Sequence, residues 1–239
     1  MKTPQLPPSK LPEVGTTIFT TMSALASKHG ALNVAQGFPD LSPPTNLKEA
    51  VKNAIDEGYN QYAPMAGDPG LRAWISDMYV QEHGAFYNTD NEITIGAGAS
   101  SLLFASIQAL VFPGDEVIIV DPAYDLYAPA VHLAGGRILR AALPKSPNSG
   151  GPGGAIDTEA IKNLISSKTK LTIINSPHNP TGACFTSEGL NELADVLSES
   201  NCFLLSDEVY GPMNHDGRPF LSAAGHPELK DRTLVFGSF

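Results

Sequence analysis

The chain has 239 residues, of which 42% are hydrophobic and 17% charged, so it can bury a sizeable core and does not have the composition of a disordered tail. Its formal net charge of -10 argues against a nucleic-acid backbone or an anionic membrane surface as the main partner. Cys184 and Cys202 have no metal-ligand spacing, so neither a metal site nor a disulfide framework is expected. No apolar run approaches the ~20 residues of a membrane span, and the proline- and lysine-rich start has no signal-peptide core. A soluble, cytoplasmic protein is expected.

In chain order, the proline-rich residues 1–45 read as an arm containing one helix, Ile18 to Lys28. Leu47, Val51, Ala54 and Ile55 share one helical face from Asn46 to Glu57, which Gly58 ends. A further helix, Gly70 to Gly84, would place Leu71, Trp74, Ile75 and Met78 on one side. The pattern then alternates. Strands are predicted at Glu92 to Gly96, Val117 to Val120, Arg137 to Ala142, Leu171 to Asn175, Cys202 to Ser206 and Thr233 to Phe236. Helices are predicted at Ser100 to Phe112, Tyr127 to Leu133, Asp157 to Ser166 and Ser187 to Ser200, with a glycine-rich surface loop over residues 146–155. The expected fold class is α/β, a mostly parallel sheet sandwiched by helices.

Ligands of an open parallel sheet sit at the carboxyl ends of its strands. There the chain places Gly96-Ala97-Gly98-Ala99-Ser100, a small-residue turn that opens a helix. It suits either a tight turn or a phosphate cradle, and it lacks the dinucleotide and P-loop spacings. Next comes Asp121-Pro122-Ala123-Tyr124, whose tyrosine could stack on a planar ligand or pack at a domain boundary. Asn175-Ser176-Pro177-His178-Asn179-Pro180-Thr181-Gly182 offers an asparagine held by prolines, suited to a ligand oxygen or to a structural turn, with His178 read as a loop residue. Finally, Asp207-Glu208-Val209-Tyr210 supplies a carboxylate that could cap a helix or pair with a protonated ring nitrogen.

As a set, these segments resemble the class I/II pyridoxal phosphate-dependent aminotransferases of fold type I. With SKLPEVGTTIFTTMSALA, NVAQGFPDLSPP, NQYAPMAGDPGLR and DPAYDLYAPA, the resemblance is nearest the methionine and kynurenine aminotransferase branch, and it runs from Ser9 to Phe239. It implies that pyridoxal 5'-phosphate is held through its phosphate by Gly98, Ala99, Ser100 and Ser238. Tyr124 would stack on the ring, Asn179 and Tyr210 would hydrogen-bond the ring oxygen, and Asp207 would pair with the ring nitrogen. Tyr62 would reach a neighbour's phosphate across a homodimer interface, and Gly37 would lie beside the substrate carboxylate. Glu208 receives no cofactor role.

The resemblance further implies residues 1–45 as an arm with part of the small domain and residues 46–239 as an incomplete large domain. The Schiff-base lysine would lie beyond Phe239, so no catalytic residue is assigned within the chain. These residues would then be the N-terminal portion of an enzyme moving an amino group from a methionine-like, sulfur-containing or aromatic amino acid to a 2-oxo acid, and would be inactive alone. A C–S β-lyase of the same fold, or a non-catalytic cofactor-binding pseudoenzyme, are the alternatives. The sheet would lose one antiparallel strand and expose an edge.

Overall fold

A computed structural model describes residues 8–37, 39, 41–143, 158–213, 217 and 219–239. Its contacts divide into two compact units, Met1–Met65 and Ala66–Phe239. The first holds helices α1 (Ile18–His29) and α2 (Thr45–Asp56). Thr17 caps α1 by accepting the Thr20 amide, and Gly30 ends it with a φ of 60°, a left-handed conformation open to glycine at little cost. The α2 stripe of Leu47, Val51 and Ile55 is present as expected, though about half of each side chain is exposed.

The second unit begins with α3 (Pro69–His83), where Asp68 accepts the Leu71 amide and Pro69 occupies the first turn. Its covered residues include Leu71, Arg72, Ile75, Ser76, Met78 and Tyr79. Trp74 lies outside that set, 54% exposed, with its ring 6.1 Å from that of Phe239. After α4 (Ala99–Leu110) the chain alternates: β1 (Glu116–Asp121), α5 (Tyr127–Ala134), β2 (Arg137–Ala142), α6 (Thr158–Lys162), β3 (Thr169–Asn175), α7 (Ser187–Ser198), β4 (Phe203–Asp207), α8 (Pro227–Lys230) and β5 (Thr233–Phe236). The five strands form one parallel sheet in the order β2-β1-β3-β4-β5.

Each face of the sheet carries its own core. On one, Ile118, Ile174 and Leu204 pack with Ile161 of α6 and Leu190, Leu193 and Leu197 of α7. On the other, Ile119, Ile173 and Leu205 pack with Leu103 and Ile107 of α4 and Tyr127 and Val131 of α5. This two-sided burial is why the inner strands are continuous apolar runs instead of alternating ones. The edge strand β2 has only Ala141 fully buried.

Helix α6 is shorter than expected: residues after Lys162 leave the helix, and Asp157 lies outside the described residues, as does the loop at 146–155. The segment Glu92 to Gly96 is not a strand. Ile93 is buried, but the segment's one backbone bond to another segment runs from the Ile95 amide to the Ala66 carbonyl, and no ladder forms beside it. Apolar alternation there gives extended backbone, but a strand also needs a partner, and among the described residues none lies alongside.

Candidate cofactor site

Register brings the site together. Asn175 at the end of β3 pairs with Asp207 at the end of β4, and Asp207 pairs with Phe236 at the end of β5. Parallel strands therefore discharge their following loops at one edge of the sheet, where ligand sites of this architecture form.

From Asp207 a run of contacts extends both ways. Asp207 is 4% exposed, and its Oδ2 accepts a hydrogen bond from the Tyr127 hydroxyl at 2.5 Å. Tyr127 meets Tyr124 edge to face, with ring centroids 5.7 Å apart, and the Tyr124 hydroxyl lies 3.4 Å from Ser100 Oγ. In the other direction, Asn175 Nδ2 donates to the Asp207 carbonyl at 2.8 Å, and Asn175 Oδ1 accepts the Asn179 amide at 2.6 Å. Asn179 Nδ2 then reaches the Tyr210 hydroxyl at 3.5 Å. Five expected site residues, Ser100, Tyr124, Asn179, Asp207 and Tyr210, thus belong to one connected set.

Gly98 and Ala99 stand at the start of α4. Gly98 has φ 79° and ψ 150°, a region essentially restricted to glycine, and no side chain caps the helix. The Gly98 amide donates to the Gly96 carbonyl at 2.9 Å and the Ser101 amide to the Gly98 carbonyl at 3.2 Å, so the helix start keeps its positive dipole end and the Ala99 and Ser100 amides for an anion. Ser238 is exposed beyond β5 with no contact to this set among the described interactions. Tyr62 and Gly37 belong to the first unit, where both are exposed.

Burial raises the pKa of Asp207 above its ordinary value, while the bonds from Tyr127 and the Val209 amide hold it down. Tyr127 is itself pushed upward by burial and by the Asp207 charge, so it remains a protonated donor. His178 is 4% exposed with Nδ1 2.8 Å from Thr181 Oγ1, and burial lowers its pKa, so it is a neutral loop residue as expected.

Tyr127 and Asn175 are the residues that sequence reasoning passed over. Tyr127 reads as the first core residue of a helix; its signal was its place one turn after Tyr124. Asn175 reads as the end of a strand, and only the register shows that it bridges two others.

The set fits pyridoxal phosphate on its own chemistry: a buried carboxylate for a ring nitrogen, an uncapped helix start for a phosphate, and a partly covered tyrosine ring between them. Among the described residues no cluster of three metal-ligating side chains occurs, and no helix is long and apolar enough to cross a membrane.

Glu208, beside Asp207, is pushed from 4.5 up to about 7 by burial. Between those values the unfolded chain loses a proton that the folded chain keeps, so stability should fall as pH rises through that window and level off above it. Glu208→Gln should remove that part of the slope, which urea unfolding of both proteins at about pH 5 and about pH 8 would reveal. Equal slopes would mean that Glu208 does not titrate there.

Residues 30–239 match the family described as Aminotransferase class I and II. A methionine aminotransferase of Escherichia coli (strain K12) is 42% identical over 236 residues, covering 99% of this chain and 60% of that protein. A kynurenine–oxoglutarate transaminase of Dictyostelium discoideum is 36% identical over 245 residues, covering 97% of this chain and 56% of that protein. Among solved structures, one from Escherichia coli described as having a methionine aminotransferase function superposes with a TM-score of 0.91 at 41% identity, over 98% of this chain and 60% of that one. The chain thus spans well under two thirds of the length of these relatives.

Proposed function

This chain belongs to the aminotransferase class I and II family, and we propose that it carries the pyridoxal phosphate site of an enzyme moving an amino group from a methionine-like, sulfur-containing or aromatic amino acid to a 2-oxo acid. The observation that carries this reading is the unbroken run of contacts from Ser100 through Asp207 to Tyr210.

In this reading the backbone of Gly98, Ala99 and Ser100, with the Ala99 and Ser100 amides as the free donors, and the Ser238 hydroxyl hold the phosphate. Tyr124 covers the ring, Asn179 and Tyr210 donate to its oxygen, and Asp207 keeps the ring nitrogen protonated. When bound, the cofactor supplies an electron sink for the substrate's α-carbon. Asp207 can keep a proton on that nitrogen only while it is itself ionised, and Tyr127 favours the ionised form by donating to it. Tyr62 toward a neighbour's phosphate, Gly37 beside the substrate carboxylate, the homodimer, and the division into an arm at 1–45 and a cofactor domain at 46–239 are parts of the same proposal.

Removing the Tyr127 hydroxyl should therefore raise the Asp207 pKa further. Tyr127→Phe is expected to weaken cofactor binding about tenfold near neutral pH, as for a lost bond to a charged group, and to move the decline of affinity to higher pH. Fluorescence titration across pH measures both effects; an unchanged profile would separate Tyr127 from the ionisation of Asp207.

The direct test compares pyridoxal phosphate with pyridoxal, then assays the protein from its source for amino transfer from methionine and kynurenine to 2-oxoglutarate. The phosphate should improve affinity about tenfold or more. Equal affinities would remove the helix cradle, and no transfer from any sulfur-containing or aromatic donor would overturn the proposed activity.

A further inference from the structure

Glu208 lies directly after Asp207 and two residues before Tyr210, yet its side chain makes a different set of contacts. It is 5% exposed. Oε1 accepts from Ser206 Oγ at 2.7 Å and from the Ala223 amide at 3.0 Å. The backbone of Glu208 is equally committed, its amide donating to the Phe236 carbonyl and its carbonyl accepting from the Gly211 amide, both at 2.8 Å.

The receiving turn, Ala223–Gly225, is fixed in its own right. A Cβ on Gly225 would stand 2.8 Å from the His83 carbonyl at the end of α3, so the chain passes there only as glycine. Glu208 thus joins the end of β4 to a turn that abuts α3. Burying a carboxylate costs stability, and a hydrophobic residue would avoid that cost while leaving the buried Ala223 amide without its acceptor.

We propose that Glu208 is a positioning residue for the cofactor site: its Oε1, bound by Ser206 and Ala223, fixes the path of the chain from Asp207 to Tyr210. What those two residues hold rests on the function proposed above; how the turn is held does not. The ionisable groups acting on Glu208 are Asp207 on β4, Tyr79 on α3 and Tyr87 after it. Burial and the Glu208 charge raise both tyrosines, Tyr87 to about 12, so they are neutral, and Asp207 opposes a charge at Glu208. No cation is among these groups, so the position of an acceptor oxygen matters more than its charge. Glutamine carries that oxygen too.

Hydrogen exchange on the 239-residue chain without ligand tests the proposal at the Val209, Gly211 and Met213 amides, with those of β1 and β3 as reference. Glu208→Ala should speed exchange at the three amides about tenfold relative to the reference, and Glu208→Gln should restore it to within about twofold of wild type. If the alanine variant does not fold, Ser206→Ala, which removes one donor, should raise exchange several-fold at the same amides. Unchanged exchange, a uniform rise across the sheet, or a glutamine variant that behaves like alanine would each overturn it. Pyridoxal phosphate affinity should fall with alanine and recover with glutamine. A wild-type chain that bound no pyridoxal phosphate would sink the proposed function, while the exchange rates would still decide the role of Glu208.

Discussion

Replacing Asp207 with alanine should lower the affinity of the chain for pyridoxal phosphate about a hundredfold or more while leaving the sheet folded. Removing one member of a buried, hydrogen-bonded charge pair costs about 2–5 kcal/mol of binding, because the remaining charge stays desolvated and unpaired. Asp207 meets the conditions for the upper part of that range: it is 4% exposed, and Tyr127 holds its orientation.

The fold should tolerate the change because two effects oppose each other. Alanine leaves the buried Tyr127 hydroxyl without its acceptor, at a cost of about 1–3 kcal/mol. It also removes a carboxylate whose raised pKa marks the ionised form as unfavourable in that position. Asp207→Asn separates charge from shape, since it keeps an acceptor for Tyr127 and cannot compensate a protonated ring nitrogen. Most of the affinity should therefore be lost in the asparagine variant too, with urea unfolding close to wild type. An alanine variant that bound the cofactor as tightly as wild type would exclude Asp207 as the partner of the ring nitrogen.

Sequence reasoning located Asp207 because position at a strand end is a one-dimensional property: a buried apolar run followed by a carboxylate can be seen without coordinates. The same holds for Tyr124 and Asn179, and for the inner strands β1, β3 and β4, whose unbroken apolar runs announce burial on both faces; the start of α4 was legible from its small-residue turn alone, since the strand expected before it does not form. Tyr127 and Asn175 escaped because their roles depend on who stands opposite. Tyr127 and Asp207 are 80 residues apart in sequence, and nothing local marks the tyrosine's hydroxyl as a donor to that acid. The segment from Glu92 to Gly96 shows the converse limit, since its residues favour extended backbone but a strand is a relation between two segments. Glu208 was legible as a structural acid, while its acceptors and donors became visible only with the turn at Ala223.

The sheet that sets this geometry should itself be sensitive on both faces. Leu204 and Leu205 are neighbours in β4, both 0% exposed, and they point into opposite cores. Leu204→Ala and Leu205→Ala should each cost about 2–5 kcal/mol of unfolding free energy, the lost transfer energy plus that of the cavity left in a close-packed interior. An alternating strand with one wet face would lose that much at only one of the two positions. Leu139 in the edge strand β2 is partly buried, so Leu139→Ala should cost less than either. Urea unfolding at one fixed pH gives all three values, and a cost under about 1 kcal/mol at Leu204 or at Leu205 would contradict burial of that face. The register Leu205 to Ile173 is continued two residues on by Asp207 to Asn175, so the core beneath β4 positions the acid above it. If that support is rigid, either leucine variant should unfold at lower urea yet bind the cofactor normally while folded.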